Sequence, residues 1–251
     1  MIKKIVYKIV ISGLALTAAF GQSKQITAEE LIKAMDANLY AKSRVLTSKM
    51  IVHGRRSSRT IVSRNWIKGI DQAYTEYLSP PREAGTKMLK LGDKLWTYSP
   101  QTDRVIQISG HMLRQSVMGS DISYNDMMED SPLTDLYDAT IEGSEMIDGR
   151  KHWILFLEAR VTGFSYHKRR AWVDAEYLLP MKEELYAKSG KLLKTTSMDG
   201  IKKIQGRYFP SRFIFKDELK RNSKGTEWVI VDIQFDVDIP EHIFSKAALR
   251  K

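Results

Sequence analysis

The spacing of apolar and polar positions changes twice along this chain. Over residues 26–44 the apolar side chains recur at helical spacing, with Leu31, Met35 and Leu39 on one face and Ala34 and Asn38 beside them. Thr27 is suited to an N-cap, and Glu30 stands at capping-box distance from it. Glu29 and Glu30 place negative charge in the first turn, where the helix dipole favours it. The pattern predicts one amphipathic helix.

From residue 45 the period falls to two. Residues 60–68 alternate as a half-buried strand, and 72–78 are rich in tyrosine and end at Ser79-Pro80-Pro81. Residues 86–91 and 94–98 flank Gly92-Asp93, a hairpin signal, and 104–108 follow another turn. These segments are joined by short turns. They predict an antiparallel meander, because parallel pairing needs crossovers of about a dozen residues or more.

Residues 110–136 break the alternation. Met112, Leu113, Val117, Met118, Ile122, Met127, Met128 and Leu133 are interrupted by Gly119, Ser120, Asp121 and Ser123. The stretch predicts two short helices or a helix-loop-helix, and Pro132 suits the first turn of another. Strand patterning then resumes over 139–143, 152–159, 169–174, 178–186, 191–198, 202–204, 208–216 and 227–238. Turns are expected at Asp148-Gly149, Ser189-Gly190 and Asp199-Gly200. In the last strand Trp228, Ile230, Asp232, Gln234 and Asp236 alternate against Val229, Val231, Ile233, Phe235 and Val237. A short helix or turn is expected over 241–249. About eleven or more strands without a β-α-β rhythm predict a mainly β protein, its antiparallel sheet curled into a barrel or half-barrel.

The residues ahead of the first helix add a location. Lys3, Lys4 and Lys8 precede an apolar run over 9–19, and Ala19-Phe20-Gly21 offers small residues for cleavage before Gln22. This is the layout of a secretory signal, too short in its apolar part to span about 30 Å of hydrocarbon comfortably. The expected organisation is a signal peptide over 1–21 and a single domain over 22–251, soluble and periplasmic. The chain has no cysteine, which removes disulfides, thiolate chemistry and an acylated lipoprotein thiol. Its formal net charge is +10, which favours lipid headgroups or acidic protein faces over nucleic acid in that compartment. Basic residues cluster at Arg55-Arg56, 167–170 and 216–221, and ordinary solvation accounts for them equally well.

No motif carries catalysis. The five histidines show no i, i+4 pair and no metal-protease spacing. There is no nucleophile elbow and no phosphate loop. Ser165 and Lys168 have a Ser-x-x-Lys spacing but fall in a turn rather than at a helix start. Asp232, Asp236 and Asp238 lack the glycine of a calcium loop. The expectation is a protein that is not an enzyme and uses no metal or cofactor. What remains is methionine, concentrated at Met112, Met118, Met127 and Met128. Flexible, polarizable methionines suit either core filling or a mobile apolar flap over a concave sheet, a site fitted to acyl chains.

Particular segments then resemble a known family. Ser63-Arg64-Asn65-Trp66-Ile67-Lys68-Gly69, the turn from Ser79 to Thr86, Leu95-Trp96-Thr97-Tyr98, Met118-Gly119-Ser120-Asp121-Ile122-Ser123-Tyr124 with Asp126-Met127, and the closing Phe244-Ser245 with Leu249 are similar to LolA-like outer-membrane lipoprotein-sorting proteins. The resemblance implies an incompletely closed antiparallel barrel, with an N-terminal helix and a mid-chain helical lid over an apolar cavity. It further implies a monomeric periplasmic carrier that shields the acyl chains of lipoproteins or phospholipids and exchanges them with inner- and outer-membrane loading and unloading proteins. The alternative is a sensor or scaffold domain that binds a protein partner with the same fold. Expected cavity or lid residues are Trp66, Met88, Leu91, Trp96, Met112, Leu113, Val117, Met118, Met127 and Met128. Arg64 is the candidate lid contact implied by the family pattern.

Overall fold

A computed structural model of the chain describes residues 26–129, 131–163 and 165–251, so the signal reading of residues 1–21 lies outside the described part. Helix α1 (Ala28–Leu39) begins with the expected capping box: Thr27 Oγ1 accepts from Glu30 N at 3.1 Å, and Glu30 Oε2 accepts from Thr27 N at 2.9 Å. It ends earlier than its periodicity suggests. Tyr40 is already extended, and Ser43 enters the first strand. Leu31, Ile32 and Met35 are buried against Leu136, Leu155, Leu157 and Val173.

The strands are β1 (Ser43–His53), β2 (Ser58–Lys68), β3 (Gln72–Ser79), β4 (Lys87–Leu91), β5 (Lys94–Ser99), β6 (Arg104–Ile108), β7 (Tyr137–Ile147), β8 (Arg150–Ala159), β9 (Lys168–Asp174), β10 (Pro180–Tyr186), β11 (Leu192–Ile204), β12 (Arg207–Asp217) and β13 (Thr226–Phe235). All pair antiparallel in one sheet of order β6-β5-β4-β3-β2-β1-β13-β12-β11-β10-β9-β8-β7. The sheet is mainly a meander, and β1 against β13 joins its two halves. It does not close into a barrel, because β6 and β7 are its two edges. Those edge strands are consecutive in sequence, so the segment between them runs from one edge to the other. Among the described residues no helix is long and apolar enough to cross a membrane.

Two local readings change. The expected turn at Asp199-Gly200 lies inside the continuous β11, which stays in register with β12 on both sides of it. Gly200 has φ +63, and a Cβ there would lie 2.3 Å from Ser211 Oγ, which donates to Gly200 O at 2.8 Å. A glycine lets the strand pass through this point without breaking. In β13, strict alternation fails at a bulge. Thr47 opposes Asp232 while Ser48 opposes Ile230, so Val231 is the extra residue. The bulge reverses the phase. Trp228 and Ile230 therefore share a face with Ile233 and Phe235, and Val231 is turned outward.

Candidate functional site

The insert lies across one face of the sheet, here the inner face. It consists of 3-10 turns at Gly110–Arg114 and Val117–Gly119, then α2 (Tyr124–Met128) and α3 (Leu133–Leu136). The helices are shorter than expected. At four or five residues they cannot be stable alone, so packing and caps must hold them. Ser123 and Asp126 form a second capping box at the start of α2. Below the insert, Met50, Ile61, Tyr77, Met88, Leu95 and Ile108 form an apolar bed on β1 to β6, into which Ile122 is sunk.

Between insert and sheet lies a cavity of about 250 Å³. Its walls are mostly apolar: Leu46 and Ile67 on β1 and β2, Phe209, Phe213 and Phe215 on β12, Trp228 and Ile230 on β13, and Met127 from the insert. A second space of about 210 Å³ continues towards α1 and β9 to β11. The two share Asp126, Glu129, Phe213 and Phe215 in their walls. The floor under the first is a buried polar ladder. Ser48 Oγ lies 3.1 Å from Ser63 Oγ, Asn65 Nδ2 donates to both serines, and Thr75 Oγ1 donates to Asn65 Oδ1 at 2.9 Å. These groups satisfy one another, so the floor places little polar demand on an apolar occupant.

Charged groups gather where the two spaces meet. Burial pushes the Asp126 carboxyl up, but Lys194 beside it, with hydrogen bonds from Lys194, Tyr166 and Ser123, outweighs that and holds it below its ordinary value. Burial moves the Glu129 carboxyl the other way, and hydrogen bonds from Ser165 only partly oppose the rise. Arg169 is half-buried 3.8 Å from Glu183, and its Nε donates to Tyr137 Oη at 2.9 Å. Trp228 Nε1 is buried without a hydrogen-bond acceptor among the described residues. Together these give a mostly apolar space that opens, past a charged junction, into a more polar one.

Cations fasten the insert to its surroundings. Lys90 Nζ donates to Met128 O at 2.8 Å, Lys194 pairs with Asp126, Lys220 donates to Ser120 O, and Arg59 donates to Met118 O. Tyr166 Oη donates to Asp126 Oδ1 at 2.5 Å.

The structure divides the residues singled out in the sequence. Met88, Met112, Leu113, Met118, Met127 and Met128 come together in the apolar cluster under the insert, and Val117 is buried beside Met50 and Trp228. Trp66, Leu91 and Trp96 do not join them. They pack on the opposite face with Tyr74 and Leu89, beneath Ile239, Phe244 and Leu249 of the C-terminal segment. Arg64 is also on that face, exposed, with its guanidinium over the Trp66 ring at 5.1 Å. The reason is the strand period: Asn65 points into the cavity, so its neighbours Arg64 and Trp66 must point away. The cavity phenylalanines escaped notice in the sequence, although Phe209, Phe213 and Phe215 have even spacing on one strand face, a readable signal. Arg59, Lys90 and Lys194 left no such signal, since their contacts are distant along the chain.

The same architecture is found in solved proteins. A DUF1329 family protein from Desulfovibrio piger superposes with a TM-score of 0.79 at 23% identity, covering 88% of this chain and 97% of that one. A candidate outer membrane lipoprotein-sorting protein domain from Vibrio parahaemolyticus gives 0.77 at 22%, covering 89% and 98%. A LolA superfamily protein from Nitrosomonas europaea gives 0.74 at 24%, covering 89% and 100%. Residues 69–251 match a protein family described simply as uncharacterized. The chain belongs to that family, and its fold is LolA-like. No curated protein matches it in sequence. The LolA-like open sheet, N-terminal helix and mid-chain cover are those expected from the sequence.

Proposed function

We propose that this protein is a periplasmic, non-enzymatic carrier that shields acyl chains of a lipoprotein or phospholipid during transfer towards the outer membrane. On this reading residues 1–21 are a removed signal peptide and residues 22–251 form one LolA-like domain. The observation that carries the proposal is the pair of contiguous spaces between the insert and the inner face, walled by Phe209, Phe213, Phe215, Trp228 and Ile230. An acyl chain would lie along these rings, each buried methylene contributing about 0.8 kcal/mol. The polar head of the amphiphile would meet Asp126, Glu129 and Lys194, where the apolar space joins the second one. Trp228 Nε1 is a donor available to a carbonyl oxygen of the cargo. Met112, Met118, Met127 and Met128 then act as an adaptable roof, and Met88 as part of the bed under it. The fold of the LolA superfamily protein and of the candidate lipoprotein-sorting domain supports this reading.

The test is to purify the exported protein, extract bound lipid for mass spectrometry, and titrate with a fluorescent fatty acid. Co-purifying lipid and displacement of the probe by an acylated peptide are expected. Neither lipid nor probe binding, with a stable protein partner recovered instead, would replace the carrier with a sensor or scaffold.

A further inference from the structure

Strand β1 pairs with β2 on one side and β13 on the other, with His53 opposite Ser58 and Val52 opposite Thr226. The β1–β2 turn and the β12–β13 loop therefore meet at one end of the sheet. Two of the basic clusters in the sequence meet with them. Arg55 and Arg56 stand on the first tip, and Lys220, Arg221 and Lys224 on the second. Between the tips is an open depression of about 530 Å³, lined by His53, Arg55, Lys220 and Arg221.

The acids nearby already have partners. Asp121 is buried 3.1 Å from Lys220 and accepts from Ser223, Glu227 lies 2.8 Å from His53 and 3.3 Å from Arg212, and Glu218 lies 2.9 Å from Lys216. Arg55, Arg56, Arg221 and Lys224 have no acidic partner among the described residues and are exposed. Beside them Leu219 projects with 54% of its surface exposed. Cations alone would suit any polyanion. Cations around a projecting leucine suit a bilayer, whose headgroup layer takes the charge and whose acyl boundary takes the leucine.

The same rim holds the insert. Arg59 donates to Met118 O and Lys220 to Ser120 O, while Asp121 N donates to Thr226 Oγ1 at 2.9 Å. Met118 and Gly119 are both left-handed, at φ 49 and φ 71, a conformation that a methionine keeps only under restraint. Phosphate oxygens are stronger acceptors for guanidinium and ammonium groups than peptide carbonyls are.

We propose that this basic rim docks on an anionic phospholipid bilayer, and that headgroup phosphates draw Arg59 and Lys220 off residues 118–120, freeing one side of the insert. The surface lies outside the cavity, so docking and acyl binding stand or fall by separate measurements.

The test is flotation of the purified protein with phosphatidylcholine vesicles, with and without phosphatidylglycerol. Binding is expected only with phosphatidylglycerol, and it should fall as salt is raised. Arg55→Gln with Arg56→Gln, or Arg221→Gln with Lys224→Gln, should each weaken it at least roughly tenfold. Lys202→Gln with Lys203→Gln, on exposed positions at the far end of the β11–β12 hairpin, should leave it unchanged. Leu219→Ser should weaken vesicle binding but spare binding to soluble polyphosphate. A polarity-sensitive dye on Gln115→Cys, the sole thiol, should respond to anionic vesicles and not to neutral ones. Absence of vesicle binding, or equal loss in the Lys202 and Lys203 variant, would overturn the proposal. So would a Leu219→Ser variant that binds normally while the protein prefers polyphosphate or an acidic protein. A dye that stays silent on bound vesicles would overturn its second half.

Discussion

Two segments cover the two faces of this sheet, and they do so by different means. The C-terminal segment seals the outer face with Ile239, Phe244 and Leu249 sunk among Tyr74, Leu89 and Trp96. Its ion pairs lie in solvent, where they contribute little: Lys68 pairs with Glu241, and Arg250 lies 3.9 Å from Asp103. Beside them Tyr74 Oη donates to Ala248 O, and Lys246 lies over the Trp96 ring. The insert sinks Val117 and Ile122 but leaves its methionines half-buried, with Met127 lining the cavity, and it is fastened by Arg59, Lys90, Lys194 and Lys220. Apolar burial is non-directional and leaves no gap to enter. Charge-assisted hydrogen bonds to a few points can be exchanged for other acceptors. The first cover is core, and on the carrier reading the second is the one that lifts.

That contrast can be broken most sharply at Leu249. Leu249→Ala should cost about 2–5 kcal/mol of global stability, seen as a lower urea midpoint, with little change in acyl-probe affinity at temperatures where the protein is folded. A large loss of affinity at unchanged stability would mean that the two faces are not independent. Acid should separate the covers next. Asp126 has a depressed folded value, so its contribution is present above the ordinary aspartate value of 3.8 and is lost as pH falls below it. Glu129 is raised, so its protonation as pH falls favours the closed insert first. Probe exchange should therefore slow slightly in mild acid and quicken below about pH 4. Asp126→Asn should remove the second phase. A smaller test compares Lys90 with Arg64. Lys90→Met removes one charged donor to the insert, worth about 1–2 kcal/mol, and should speed probe exchange by about five- to thirtyfold. Arg64→Gln, on the outer face, should stay within about 0.5 kcal/mol of wild type in stability and leave exchange unchanged.

The strands and most turns were legible because their signals are local. Thr27 with Glu30, Gly92-Asp93 and Asp148-Gly149 each act over a few residues, and each stands where expected. Which side of a strand faces the cavity was not legible, because that is decided by a single residue. The bulge at Val231 places Ile233 and Phe235 with Trp228 and Ile230, against the written alternation. The same limit misplaced Trp66, Leu91 and Trp96: large apolar side chains suit either face of a sheet that is covered on both. The fastening of Lys194 to Asp126 joins residues far apart in sequence, and only the folded chain brings them together.

The insert also has a mechanical role, because its ends continue into β6 and β7, the two free edges of the sheet. It is a strap of fixed contour length across the mouth. On the carrier reading, a wider guest would be accommodated by drawing slack from the strap. Each helical residue that unwinds lends roughly 2 Å, the difference between about 3.5 Å extended and 1.5 Å helical. Guest girth would then be exchanged against helix in α2 and α3, and shortening the strap should lower the largest amphiphile that a carrier of this design admits.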